Sequence, residues 1–195
     1  MARARLQSMF ASQPLNSSTS SGTGQSTLVP QPSAALINRR YRDNNDGTVT
    51  DMQTNLQWMR CALGQTWQGG TCAGEAKRYQ WEPALGAAKV VNYQGGYAGY
   101  QDWRVPSREE LRSLVYCSSG APEIWNNTGK SCQGDYSRPT IDTTAFPNTP
   151  ASDFWSASPN ASNADYAWNV GFYNGNGSWY DRSLAGRVRP VRAGQ

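Results

Sequence analysis

The sequence predicts an α+β domain. Two helical patterns lie in the middle of the chain, one opened by a capping box, and a run of short alternating segments follows Ile141. Helices followed by mostly antiparallel strands is the α+β order. Asp46-Gly47, between Arg42-Asp43 and Thr48-Val49-Thr50, adds a tight hairpin ahead of the helices.

Residues 1–36 stand apart as a flexible arm. Residues 11–34 are dominated by Ser, Thr, Gln, Pro and Gly, which leaves little to bury. The basic start is followed by no apolar run of signal-peptide length and the chain by no transmembrane stretch. A docking role on another protein or a virion is one expectation for this arm. The ligand-binding domain is expected over 37–195.

Within that domain, the acidic cluster Asp43, Asp46 and Asp51 lacks the spacing of a calcium loop, so no metal is expected. Leu56, Trp58 and Met59 read as a short buried strand. Trp81 to Val91 is helical, with Pro83 tolerated in its first turn and Leu85, Ala88 and Val91 at core spacing. Ser107 and Glu110 form the capping box of the second helix, whose apolar face is Leu111, Leu114 and Val115. Trp103 leads into it as a core residue. The later strands are 154–156, 166–173 and 187–192.

Composition narrows function. The chain has no histidine, which removes His-based triads, His general bases and His-containing zinc sites together. The net charge is +4 without a Lys/Arg-rich run, so nucleic acid is not expected as a partner. Four cysteines fall in two local pairs, Cys61/Cys72 and Cys117/Cys132, neither with CxxC spacing. Two loop-closing disulfides follow, each worth on the order of 3 kcal/mol by loop entropy. They would place the protein in an oxidising setting, extracellular or at a cell or particle surface. Four reduced, buried cysteines are the alternative.

The most informative stretch runs from Trp168 to Arg192. It opens as an alternating strand, with Trp168, Val170 and Phe172 expected toward the core and Asn169, Gly171 and Tyr173 away from it. A segment rich in Gly, Asn, Ser, Tyr and Trp follows, the palette of antibody paratopes. This points to recognition, not catalysis.

The ordered segments RYRDNNDGTVTDMQTNLQWMRCALGQTW, GYAGYQDWRVPSREELRSLV, AFPNTPASDFWSASP and YAWNVGFYNG…VRPVR resemble the Lcl C-terminal domain family over about residues 40–192. The resemblance implies a C-type-lectin-like fold: two helices on a small twisted antiparallel sheet, with long loops. It also implies adhesion, since the founding member uses the domain to bind sulfated polysaccharides at a surface. The last stretch, within a segment of about 156–192, further resembles the variable region of proteins diversified by retroelements, an Asn-dense pattern similar to WNVNFNNGNVNNNNKNNNNYVRPVR. Trp168, Asn169, Val170, Phe172, Asn174, Gly175, Asn176 and the closing Val188 to Arg192 match its frame. Gly171, Tyr173, Ser178, Trp179, Tyr180, Asp181, Ser183, Leu184, Ala185 and Gly186 stand where that pattern carries Asn. All but Trp179 are reachable from an AAC or AAT codon by changes at the first two bases.

These positions are the expected ligand contacts, joined by Asn160, Asn163, Asp165 and Tyr166 from the preceding loop. Trp179 and Tyr180 form the expected anchor pair, a place for Trp179 in the core being the alternative. Arg187, Arg189 and Arg192 are candidates for a sulfate or carboxylate, or for pairing with local acids. Trp168-Asn169-Val170 lacks the acid that a calcium-dependent lectin uses. The implied fold is also similar to that of formylglycine-generating enzymes, which need a reactive cysteine pair, but here both cysteine pairs lie upstream of the C-terminal binding region. No catalytic residue and no cofactor are expected. The reading is a display protein presenting a diversified surface to a protein or glycan ligand on another cell or surface. Its alternatives are a fixed adhesin for sulfated polysaccharide and a phage tail or virion receptor-binding component.

Overall fold

A computed structural model describes residues 35–194. The expectations for the arm fall almost wholly outside these residues. The domain is α+β, with two helices and three small antiparallel sheets.

The Asp46-Gly47 turn joins β1 (Tyr41–Asp43) to β2 (Thr48–Asp51) in register Tyr41 to Asp51. Asp46 holds the turn by accepting from the Thr48 amide and hydroxyl at 2.9 and 2.6 Å. β3 (Leu56–Met59) adds to β2, and the closing β9 (Val191–Ala193) adds to β3 with Trp58 opposite Val191. The two ends of the domain therefore share one four-stranded sheet. Asp51 lies in this sheet, buried with Arg40 in an ion pair at 2.6 Å.

Both cysteine pairs are disulfides, Cys61–Cys72 and Cys117–Cys132. The first closes around the hairpin of β4 (Thr66–Gln68) and β5 (Thr71–Ala73), which lay hidden in a polar Gly-rich stretch.

Helix α1 (Trp81–Tyr93) buries Trp81, Ala84, Ala87 and Ala88, while Leu85 and Val91 are only half-buried. The expected face is thus rotated. Ala84 and Ala88 let the helix approach Trp155, Ala167 and Val188 closely, and Leu85 seals the margin. Helix α2 (Arg108–Arg112) keeps the predicted capping box in full, with Ser107 accepting from the Glu110 amide and Glu110 from the Ser107 amide. Leu111, Leu114 and Val115 are fully buried in the main core with Trp58, Phe146, Phe154, Val170 and Phe172. Among the described residues no helix is long and apolar enough to cross a membrane.

The third sheet is a meander: β6 (Asp153–Pro159), β7 (Tyr166–Gly171) and β8 (Asn176–Asp181). Its central strand is buried on both faces. Val170 meets the core beneath α2, and Ala167 meets the cluster beneath α1. The segment 187–192 is a strand only from Val191. Arg187 bridges to Phe154, and Pro190 has no amide to donate, though its carbonyl accepts from Met59.

Arg189 is fully buried and has no carboxylate partner among the described residues. Its guanidinium donates to the carbonyls of Met59 and Arg60 and, at 2.7 Å, to the Thr149 hydroxyl, and it lies over Phe146 and Phe154. Burial pushes its pKa down to about 9. Arg189→Met leaves these acceptors unpaired in the core, at about 1–3 kcal/mol each. In urea titrations it is expected to lose at least about 2 kcal/mol, whereas Lys89→Gln on the exposed side of α1 changes stability by about 0.5 kcal/mol or less. Equal stability of the two variants would contradict this role.

Candidate functional site

The Phe172–Gly175 turn folds β8 back on β7, with Gly175 in the left-handed conformation at φ 79°. A Cβ at Gly175 would stand 2.7 Å from Val115, so the glycine is required for packing as well. The register sets Trp168 opposite Trp179, Asn169 opposite Ser178 and Ala167 opposite Tyr180. Strand alternation then divides the expected contact set between two faces of the sheet.

On the α2 face, Tyr166, Trp168 and Trp179 line a groove of about 500 Å³ with Asn160, Ser162 and Asn163. Trp179 is 52% exposed, and its ring meets Tyr166 edge-on at 5.5 Å between centroids. Trp168 is not the core residue expected of it. It is half-buried at the floor of this groove, with the Arg108 guanidinium stacked 4.3 Å over its ring. Its alternation with Val170 is correct, but the core ends at Val170 and the strand continues into solvent. A second depression of about 390 Å³ continues past Trp168 to Arg108 and Glu109, which pair at 2.6 Å.

The loop before β7 is held by its own polar groups. Asn160 accepts from the Ser162 amide and Asn163 from the Asp165 amide, both at 2.9 Å. The Tyr166 carbonyl accepts from the Asn160 amide at 3.0 Å. The side-chain carbonyls of Asn160 and Asn163 are thus engaged, and their amide NH2 groups have no protein partner among the described residues. This is a preordered donor rim beside aromatic rings.

On the opposite face lie Tyr173, Ser178 and Tyr180, beside Asp153. Tyr180 has its pKa pushed up to about 12, first by hydrogen bonding to Tyr173, then by burial and by the negative charge of Asp153. Burial raises the Asp153 carboxyl above its ordinary range despite Arg187 and Arg78 nearby. Trp179 and Tyr180 therefore do not form a single anchor pair, because adjacent residues of a strand point to opposite sides.

Ser183, Leu184 and Ala185 are exposed on the turn after β8, with Asp181 accepting from the Ser183 amide and hydroxyl. Asp165 is also exposed. Two expected contacts are corrected. Gly171 is buried against Tyr173 and Asp153, where a Cβ would fall 2.5 Å from the Tyr173 ring. Gly186 is buried under Trp155, and it bridges to Tyr79.

The arginine group also separates. Arg189 is the buried clamp described above, and Arg192 pairs with Asp102 at 2.6 Å and with Gln57. Only Arg187 borders open space, in a concavity of about 710 Å³ lined also by Lys77, Arg78 and Glu75. Arg108, Lys77 and Arg78 come from outside the C-terminal stretch, and nothing in their local sequence distinguishes them from other surface cations.

The Lcl C-terminal domain family matches residues 47–192. The chain belongs to this family. A search of curated proteins finds no match. The family match spans both disulfides and the whole β6–β8 meander, so the groove lies on a family scaffold.

The site predicts a separation of stability from surface. Trp179→Ala is expected to cost less than about 1.5 kcal/mol, the scale of its edge-on contact with Tyr166. Trp155→Ala, in the fully buried cluster, is expected to cost about 3–5 kcal/mol. Similar losses at both positions in thermal denaturation would place Trp179 among the core residues.

Proposed function

We propose that this protein is a ligand-binding display protein, in which a C-type-lectin-like scaffold presents a retroelement-diversified surface to a protein or glycan target. It acts by binding and not by catalysis, outside the cell or at its surface. The observation that carries this reading is the groove of Tyr166, Trp168 and Trp179, aromatic rings exposed on a rigid strand pair beside a donor rim. Large amphipathic rings surrounded by adaptable polar groups are what a binding anchor needs.

The distribution of burial supports the diversified part of the reading. Of the positions where the variable pattern carries Asn, Tyr173, Ser178 to Asp181 and Ser183 to Ala185 are half-buried or exposed. Of the frame, Asn169, Val170, Phe172, Gly175 and Val188 to Arg192 are buried, while Trp168, Asn174 and Asn176 are half-buried. Side chains can change at the first set without emptying the core. The two disulfides fit an oxidising compartment.

A second reading is favoured by one observation. Lys77, Arg78 and Arg187 share a concavity with a single carboxylate, Glu75, on its lining. That suits a sulfated polysaccharide bound at a fixed site. It predicts steeply salt-dependent binding to a heparin-like polymer, lost in Lys77→Gln with Arg78→Gln.

The leading reading is tested on arrays of surface glycans and surface proteins, followed by variants against the retained target. Trp179→Ala is expected to weaken binding by about 30-fold or more, as for a central anchor. Unchanged affinity would contradict the reading. In the neighbouring DNA, a near-identical repeat differing at adenines beside a reverse transcriptase gene is expected. A lone, unrepeated coding segment would contradict diversification.

A further inference from the structure

We infer that the outer edge of β8 receives an extended segment of a partner protein as an added antiparallel strand, with a basic residue of that segment facing Asp181 and an apolar one facing Trp179. The inference rests on the reading of this region as a recognition surface and names the class of partner.

β8 is the last strand of its sheet. The Gly177 amide donates away from β7, to the Gly129 carbonyl at 3.0 Å. Main-chain groups alternate in direction along a strand, so those of Trp179 and Asp181 point outward as well. The Asp181 carbonyl is taken by the Leu184 amide at 3.0 Å. The Trp179 amide, the Trp179 carbonyl and the Asp181 amide have no hydrogen-bond partner among the described residues. They form a donor–acceptor–donor row with a repeat of about 7 Å. Another extended backbone matches that row, and sugar hydroxyls have no such period.

Edges of this kind are normally blunted by Lys, Pro, a bulge or a cover. The run Asn176–Asp181 has no Lys or Pro and is paired with β7 without interruption. Gly129 covers the edge at Gly177 only, and an exposed Trp occupies the open part. Charge defines the occupant further. Asp165 and Asp181 make no ion pair among the described residues. One Asp181 carboxylate oxygen is fixed by Ser183, which leaves the other for a cation. Residues facing Trp179 and Asp181 are two apart on one face. In an antiparallel partner the basic residue comes first, as Lys-x-Val.

The probe is an acetylated, amidated pentapeptide, Thr-Lys-Thr-Val-Thr, added to the full chain while amide exchange is followed by NMR. At saturation the Trp179 and Asp181 amides are expected to exchange at least about tenfold more slowly, as newly bonded amides do. N-methylation of the Val amide, which meets the Trp179 carbonyl, is expected to weaken binding by about tenfold or more, and N-methylation of any of the three Thr amides by less than about twofold. Replacing Lys by Glu is expected to abolish binding. Indifference to N-methyl position, or unchanged exchange at Trp179 and Asp181, would overturn the inference. If Trp179→Ala nevertheless abolishes binding to the array-identified target, recognition at the groove stands and only the edge pairing fails. If it does not, the recognition reading itself has failed.

Discussion

Everything at the C-terminal end of this domain depends on one buried cation. Arg189 stands in the core without a carboxylate partner among the described residues, over the rings of Phe146 and Phe154, and donates to carbonyls at the end of β3 and to Thr149. A charge in such a place is costly unless its donors are used; the Nε of Arg189 has no partner among the described residues, but both terminal nitrogens do. Here they join the closing segment to the first sheet and to the loop before β6. With β9 paired to β3, the closing segment is fastened at both Arg189 and Val191, and the meander is held from below.

That fastening lets β8 lie at the margin of the fold. Its neighbour β7 is buried on both faces, against α1 on one side and the α2 core on the other. β8 contributes little to either core, so its side chains are set by surface chemistry. The two-residue period of the strand gives it two faces: the aromatic groove with Trp179, and the Tyr173, Tyr180 and Asp153 cluster. A protein built in this way can vary one strand without rebuilding its interior.

Most of the framework was legible in the sequence because it rests on local signals. Asp46-Gly47, the Ser107–Glu110 capping box and the spacing of Leu111, Leu114 and Val115 all appear where these signals place them. The cysteine pairs were equally local. What escaped was tertiary. The face of α1 is decided by Ala84 and Ala88, which permit close approach, and periodicity alone favours the larger Leu85 and Val91. Trp168 has the alternation of a core residue, yet the core stops one strand position earlier. Asn174-Gly175 was the overlooked signal. As a turn it sets Trp168 opposite Trp179 and separates Trp179 from Tyr180. Arg189 and Arg192 look like surface cations in the sequence, because nothing local reveals the acceptors waiting for them.

The central claim is that frame and surface are separable in this stretch of chain. The most direct measurement is a pair of displayed libraries scored by protease resistance. One randomises Tyr173, Ser178, Trp179, Tyr180, Asp181, Ser183, Leu184 and Ala185; the other randomises Asn169, Val170, Phe172, Val188 and Arg189. Most members of the first library should remain folded, and few members of the second should fold. Equal intolerance in the two libraries would contradict the account.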